Sequence, residues 1–362
     1  MAKKTFLWGM LALALAFGMM VVGCGEEPKP SPKPPQPGET VDNPIDRIAD
    51  TNLGTMTSSA SGWQELLDSI KNEGKYVNLD LSACTMTGTS FNPDATVETG
   101  KDYIVSIILP TAATSIEEGS RDDSTFQGFI NLESIKGANI TTIGAYSFHR
   151  IGGGKKLQQV DFPKATTIGE SAFIGTDLET ANFPLVTTIG KNAFYGGDCL
   201  KNVSFPIAQS IGEYAFYSCS NLENISFPNV TTIGGNAFSY CINLASLNIP
   251  KVTSIRTSAF GTSGNTALSI TMGSVAPTLG WGIFYNTDID ISGRITNKTV
   301  TVKVPSGATG YSPFTGTPVT VSGADNTENW ANGFRGGGWN GSTWESDTSK
   351  INQNISLVIQ QQ

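Results

Sequence analysis

The sequence predicts a β-rich solenoid, a fold in which short coils of chain stack along one axis and share a parallel sheet. Three observations support this prediction. An apolar pattern recurs every 21 or 22 residues through the middle of the chain. Charged residues make up only 15% of the 362 residues, whereas glycine, at 40 residues, is frequent enough to supply many turns. Because one such short unit cannot bury its own apolar side, neighbouring units must share a core.

The repeat is clearest from Leu222 to Phe238, where the chain reads Leu-x-x-Ile-x-Phe-Pro-x-Val-x-x-Ile-Gly-x-x-Ala-Phe. Successive copies begin at Leu157, Leu178, Leu200, Leu222 and Leu244, and they close at Phe173, Phe194, Phe216, Phe238 and Phe260. Within the first six residues, Ile and Phe lie two positions apart, as in a short strand whose every second side chain faces the core. The proline ends that strand because it has no N–H to donate. With diverged copies on both sides, we count about nine rungs between Ile104 and Pro305.

Both ends of the repeat region contain segments that predict caps. Apolar residues from Trp63 to Ile70 fall at i, i+3, i+4 and i+7, which predicts an amphipathic helix ending at Gly74. The alternating segment Tyr76–Leu81 predicts a strand, and Ile355–Ile359 predicts a closing strand at the other end. We therefore divide the chain into a signal peptide (1–23), a lipidated cysteine with a Pro-rich tether (24–45), an N-terminal cap (46–103), a solenoid (104–305) and a C-terminal cap (306–362).

The first segment predicts export and anchoring by lipid. Lys3 and Lys4 precede an apolar run over residues 5–22, and a Gly-Cys pair ending at Cys24 follows. This arrangement resembles the lipobox of bacterial lipoproteins, in which the cysteine carries the lipid; an ordinary signal peptide or a single membrane helix is the alternative. Proline-rich residues 26–44 favour an extended tether. We expect the protein in the bacterial cell envelope, on the outer-membrane surface, with a periplasmic orientation as the alternative.

The repeat itself resembles the BspA-like, or Treponema pallidum-type, leucine-rich repeat over about residues 104–305. The resemblance implies a solenoid with one parallel sheet, and it implies a bacterial surface protein. Some family members are implicated in binding host matrix or plasma proteins and in adhesion between cells. As partners it therefore implies a host extracellular matrix or plasma protein, or another bacterial surface. A structural or antigenic coat protein without a single high-affinity ligand is the alternative, because a fold does not determine its ligand.

Composition and residue types argue against several other functions. The formal net charge of -8, without a basic stripe, disfavours nucleic acid and direct contact with anionic lipid. His149 is the sole histidine, so neither a Ser-His-Asp triad nor a multi-histidine metal site has a clear basis, and we interpret it as an exposed loop residue. The acidic pair Asp122 and Asp123 lacks a calcium-binding motif. We therefore expect no catalytic residues, no metal and no cofactor, and contact with a membrane only through the lipid.

Cys219 and Cys241 occupy the same position in adjacent copies of the repeat. Stacked rungs would place their Cα atoms about 5 Å apart, which is within the range of a disulfide. Side chains in such a ladder point the same way, however, which would strain the bond. The sequence leaves two interpretations open, a disulfide or a pair of small buried thiols.

The candidate binding residues are the outward positions of the repeated strands, which we expect on the concave face of the sheet. One column reads Gln159, Thr180, Asn202, Asn224 and Ser246, and the next reads Asp161, Asn182, Ser204, Ser226 and Asn248. These columns are nearly uncharged and rich in hydrogen-bonding groups, which favours a groove for an extended polymer or loop. Two alternatives stay open: these positions are polar for solubility alone, or recognition occurs near Trp339 and Trp344, which we interpret as cap packing.

Overall fold

The repeated pattern folds into a parallel-stranded solenoid in the computed structural model. The model describes residues 52–55, 61–74, 76–93, 100–149, 151, 157–261, 263, 267–280, 283, 298–309, 311, 338–339, 344–345 and 355–361. Through most of the described repeats, a turn contributes a longer strand, a two-residue strand and a tight turn, and equivalent elements stack on one another. The predicted fold class is therefore confirmed.

The described N-terminal region holds a helix and short strands next to the first rung. Its elements are β1 (Asn52–Thr55), α1 (Ser61–Glu73), β2 (Val77–Asp80), β3 (Thr85–Thr87), β4 (Ser90–Phe91) and a 3₁₀ turn (Lys101–Tyr103). The helix ends where predicted, because Gly74 adopts a left-handed φ of 64° and its N–H still donates to Ile70 O over 3.2 Å. The apolar side of α1, including Trp63 and Leu67, is buried in the same core as the repeats.

The longer strands form the long-strand sheet. Nine of them lie between residues 104 and 304: β5 (Ile104–Ile108), β7 (Ser134–Lys136), β9 (Gln159–Asp161), β11 (Thr180–Asn182), β13 (Asn202–Ser204), β15 (Asn224–Ser226), β17 (Ser246–Ile249), β19 (Ala267–Met272) and β21 (Lys298–Val304). Their number agrees with the nine rungs counted from the sequence. Strand β2 pairs with β5 at one end, and β24 (Ile355–Gln361) pairs with β21 at the other. The ladder is interrupted between β9 and β11 and between β13 and β15.

A second parallel sheet, the short-strand sheet, consists of two-residue strands. It runs through nine strands: β4, β6 (Ser115–Ile116), β8 (Thr142–Ile143), β10 (Thr167–Ile168), β12 (Thr188–Ile189), β14 (Ser210–Ile211), β16 (Thr232–Ile233), β18 (Ser254–Ile255) and β20 (Thr278–Leu279). From β6 to β18 the isoleucine faces the core and is buried. Separately, β22 (Gly338–Trp339) and β23 (Trp344–Glu345) form an antiparallel pair.

Tight turns that end in Ala-Phe form the third side of the solenoid. Backbone N–H groups on one turn donate to carbonyls on the next, as from Phe194 N to Ala215 O and from Phe216 N to Ala237 O, each over 2.8 Å. The residue before Ala-Phe, or Ser-Phe in the first case, has a left-handed φ of 53–57° in six turns: Tyr146, Ser171, Asn192, Tyr214, Asn236 and Ser258. The turn therefore repeats its backbone conformation even where its side chains differ.

Phenylalanine rings fill the space between the three sides. One stack consists of Phe126, Phe148, Phe173, Phe194, Phe216, Phe238 and Phe260, with neighbouring ring centroids 4.7–5.8 Å apart and planes within 22° of parallel. Rings from the longer strands interleave with it, as where Phe205 meets Phe194 edge-on at 5.9 Å. All of these rings are buried. Because each ring packs against rings of the neighbouring turns, the turns share one core, as expected for stacked repeats.

Candidate binding face of the long-strand sheet

The ten candidate residues lie on the outer side of strands β9 to β17, as the alternating pattern predicts. We refer to them together as the polar face. Eight are exposed, and Ser246 and Asn248 are half-buried. The residues between them face inward, and Ala181, Ile225 and Leu247 are buried. The positions therefore agree with the sequence pattern, whereas a role in binding remains a prediction.

The register of the strands aligns the polar face into two columns. Thr180 pairs with Asn202 and Asn182 with Ser204 between β11 and β13. The same register joins β15 to β17, where Asn224 pairs with Ser246 and Ser226 with Asn248. Paired strands of a parallel sheet lie about 4.8 Å apart, so within each of these two pairs a column presents one polar side chain at that spacing, although the pairing does not continue from β9 to β11 or from β13 to β15. A ligand lying along the stack would meet a similar group at each rung.

Hydrogen bonds within the protein divide the polar face into two halves. Ser246 Oγ donates to Asn224 Oδ1 over 2.6 Å, and Asn248 Nδ2 donates to Ser226 Oγ over 3.0 Å. These four residues form the engaged half. The open half consists of Gln159, Asp161, Thr180, Asn182, Asn202 and Ser204. In the part of the chain that the structure describes, no side chain of the open half has a hydrogen bond or ion pair within the protein.

Charge is sparse on the polar face. Asp161 is its one charged member, and it lies opposite Lys136 in the register of β7 and β9. Just before β11 and β13, Glu179 Oε1 and Lys201 Nζ are 3.9 Å apart, with both side chains more than half exposed. Such an exposed pair adds little stability and leaves no net charge. The face can therefore offer hydrogen bonds and van der Waals contact.

Three further features considered from the sequence are His149, a metal site and a membrane-spanning helix. His149 is half-buried, which corrects the prediction of an exposed residue, because it sits in a tight turn with its ring 5.6 Å from that of Tyr146. Among the described residues, no group of three or more His, Cys, Asp or Glu side chains could hold a metal. No helix that the structure describes has the length and apolar character needed to span a bilayer. Cys24 lies outside the described residues.

The two aligned cysteines are buried free thiols. Each Sγ reaches a backbone carbonyl, with Cys219 Sγ 3.2 Å from Phe194 O and Cys241 Sγ 3.1 Å from Phe216 O. Burial raises the pKa of Cys241 to about 12 and that of Cys219 well above its ordinary value. Of the two interpretations left open by the sequence, the structure supports small buried thiols. Thiols that stay protonated at neutral pH are poor nucleophiles and poor metal ligands.

Several solved structures resemble this chain over part of its length. A leucine-rich repeat protein from Bacteroides ovatus ATCC 8483 is 21% identical, with 62% of this chain and 68% of that chain covered and a TM-score of 0.37. A leucine rich cell surface protein from Faecalibacterium prausnitzii A2-165 is 17% identical, with 61% and 78% covered and a TM-score of 0.36. The pneumococcal vaccine antigen PcpA is 15% identical, with 64% and 85% covered and a TM-score of 0.24. Similarities at this level carry no functional inference.

The match to a family model identifies the family of this chain. No curated protein sequence matches the chain significantly. The model of the BspA type leucine rich repeat region, however, matches residues 99–201 and 187–303 in six copies. These residues make up more than half of the chain, and they coincide with the stacked turns from β5 to β21. The chain belongs to the BspA-type leucine-rich repeat family.

Proposed function

We propose that this protein is a lipid-anchored module of the bacterial cell surface that binds proteins or glycans of a host or of other bacteria through its polar face. The observation that carries the proposal is the placement of nearly uncharged donors and acceptors, eight of them exposed, at equivalent positions of five consecutive rungs. A regular surface of this kind suits an extended partner that makes many weak hydrogen bonds, directly or through water. The absence of a clustered set of reactive side chains on this face favours binding over catalysis.

The proposed location rests on the first segment of the sequence. An apolar run that ends at Cys24 has the form of a lipoprotein signal, and the Pro-rich residues after it would hold the repeats away from the membrane. Display of many copies on one cell would raise the strength of attachment even where each contact is weak. A coat protein without a single high-affinity ligand is the competing function.

The proposal is tested with the full chain purified in detergent micelles. Its binding is measured to immobilised matrix and plasma proteins, to neutral polysaccharides and to intact bacterial cells. We expect saturable binding to at least one of these. A variant with lysine at Asn202, Ser204, Asn224 and Ser226 should lose that binding, because lysine adds bulk and like charge across neighbouring rungs.

A matched control introduces the same four charges elsewhere on the solenoid. Lysine at Thr142, Thr167, Thr188 and Thr232 occupies exposed positions of the short-strand sheet and should leave binding unchanged. Both variants should retain most of the melting temperature of the unmodified chain. Absence of saturable binding by the unmodified chain would support the coat-protein alternative, and equal binding by both variants would place recognition away from the polar face.

A further inference from the structure

We infer that recognition is centred on the two rungs of β11 and β13, and that it takes a protein segment presenting aliphatic and uncharged polar groups. This inference rests on the proposed function, because it specifies which part of the polar face acts and which class of partner it takes. Four features of these two rungs coincide: open polar side chains, exposed aliphatic side chains, a neutral charge balance and interrupted sheet pairing on both sides.

The first feature is the availability of hydrogen-bonding groups. Thr180, Asn182, Asn202 and Ser204 are exposed, and within the described residues their side chains make no hydrogen bond to the protein. The corresponding residues of β15 and β17 already bond to each other across the rungs. At β15 and β17 each of these side chains already uses one donor or one acceptor on its neighbour, whereas at β11 and β13 all side-chain donors and acceptors are open to a partner. The open half can therefore form more hydrogen bonds to a partner.

The second feature is a pair of exposed aliphatic side chains on the same two rungs. A turn follows each longer strand, and one of its residues lies three positions after the second outward residue of that strand. We call these turn residues the corner column: Asn139, Lys164, Leu185, Ile207, Asn229 and Lys251. Its polar members bond in pairs, because Lys164 Nζ reaches Asn139 Oδ1 over 2.8 Å and Lys251 Nζ reaches Asn229 Oδ1 over 2.6 Å. Leu185 and Ile207 lie between these pairs and remain 44% and 40% exposed. Two adjacent aliphatic residues thus interrupt an otherwise polar column.

The other two features of the site are its charge balance and the interrupted pairing of its strands. Glu179 and Lys201 immediately precede β11 and β13 and offset each other, so the site attracts neither a polyanion nor a polycation. The pairing of β11 with β13 is isolated, because the sheet ladder stops on both sides of them. Beneath them Phe183 and Phe205 stack with centroids 5.6 Å apart. The two strands are therefore held in place on their inner side by the packing of these two rings.

These features match a protein segment better than a glycan. The polar face and the corner column contain no aromatic residue between Gln159 and Lys251, so no flat ring is available on which a sugar could stack. Leu185 and Ile207 can instead cover an aliphatic side chain of a partner while the neighbouring amides and hydroxyls bond to its backbone. Aliphatic anchors are weaker than aromatic ones, so we expect modest affinity that multiple copies strengthen.

The test compares two double variants of the full chain in detergent micelles. The site variant carries Leu185→Ser and Ile207→Ser. The control variant carries Ile130→Ser and Ile242→Ser, which remove aliphatic side chains that are 47% and 46% exposed elsewhere on the surface. The probes are the immobilised panel of matrix and plasma proteins and, in a separate arm, the panel of neutral polysaccharides.

We expect a protein of the panel to bind saturably, the site variant to bind it at least about tenfold more weakly, and the control variant to bind it normally. Normal binding by the site variant would overturn the inference while leaving the proposed function intact. Binding confined to polysaccharides would overturn the choice of partner class. Absence of saturable binding by the unmodified chain would instead overturn the proposed function itself, so the two failures are distinguishable.

Discussion

Replacement of Gly212 by alanine tests the stacking geometry of the solenoid directly. A Cβ atom at this position would lie 2.7 Å from the carbonyl carbon of Gly190 and 2.7 Å from the backbone nitrogen of Lys191. Both atoms belong to the backbone of the preceding rung, so no side chain can rotate out of the way. The rungs would have to separate by about 0.7 Å before the Cβ reached 3.4 Å, where ordinary van der Waals contact begins.

The chain itself contains a turn in which this glycine is replaced. Arg256 occupies the equivalent position two turns later, and there the rings of Phe238 and Phe260 are 5.8 Å apart, compared with 5.3 Å for Phe194 and Phe216. A gap of about 0.5–1 Å forfeits about a quarter to a half of the dispersion energy of each contact. Overpacking of this kind costs about 1–3 kcal/mol, which corresponds to a fall in Tm of about 2–12 °C for a domain of this size.

The assay is a thermal melt followed by circular dichroism, with Gly235→Ala as the control. Gly235 is next to an equivalent glycine but does not need a left-handed φ, and the nearest atom to its added Cβ is Thr257 O at 3.3 Å. The control should therefore stay within about 1 kcal/mol of the unmodified chain. If Gly212→Ala melted at the same temperature as Gly235→Ala, close backbone approach would not be the reason for the repeated glycine.

Three further predictions concern the core, the anchor and the buried thiols. Phe216→Ala should lower the free energy of unfolding by about 3–5 kcal/mol in a denaturant titration, because its ring is fully buried; a loss under about 1 kcal/mol would contradict its placement. Cys24→Ser should release the protein from the membrane fraction or leave an unprocessed precursor, and normal processing with membrane retention would refute the lipid anchor. Cys241 should resist alkylation at pH 8 until the chain unfolds, since burial raises its pKa to about 12 from an ordinary value of 9.0. The unfolded thiol ionises first, so stability should fall as the pH rises from about 9 towards 12; rapid alkylation of the folded protein would contradict the burial.

Several features of the fold could be predicted because they depend on spacing alone. The alternation in Ile-x-Phe identified both the inward residues, such as Ile225 and Phe227, and the exposed positions beside them, such as Asn224 and Ser226. The i, i+3, i+4 pattern identified the buried side of α1. Both follow from the fixed geometry of strands and helices, in which sequence position determines the direction of each side chain.

The backbone conformation of the tight turns could not be predicted from spacing. Tyr146, Tyr214 and Ser258 share a left-handed φ although tyrosine and serine do not favour it. Their conformation follows from the backbone hydrogen bonds between neighbouring turns, such as Tyr214 N to Gly235 O over 2.9 Å. Local preference therefore gave no signal, because the stabilising partner lies one rung away.

The sequence alone determined the stacking of the rungs, their number and the identity of the outward columns, because a strict period places equivalent residues side by side. The repeat pattern does not show which of the ten residues of the polar face form hydrogen bonds within the protein. Only the tertiary structure separated Asn224 and Ser246, which bond to each other, from Asn182 and Ser204, whose side chains stay open in the described part of the chain. It also placed Leu185 and Ile207 at an exposed corner of those same rungs. Such distinctions depend on the distances between particular side chains on adjacent rungs, which periodicity does not encode.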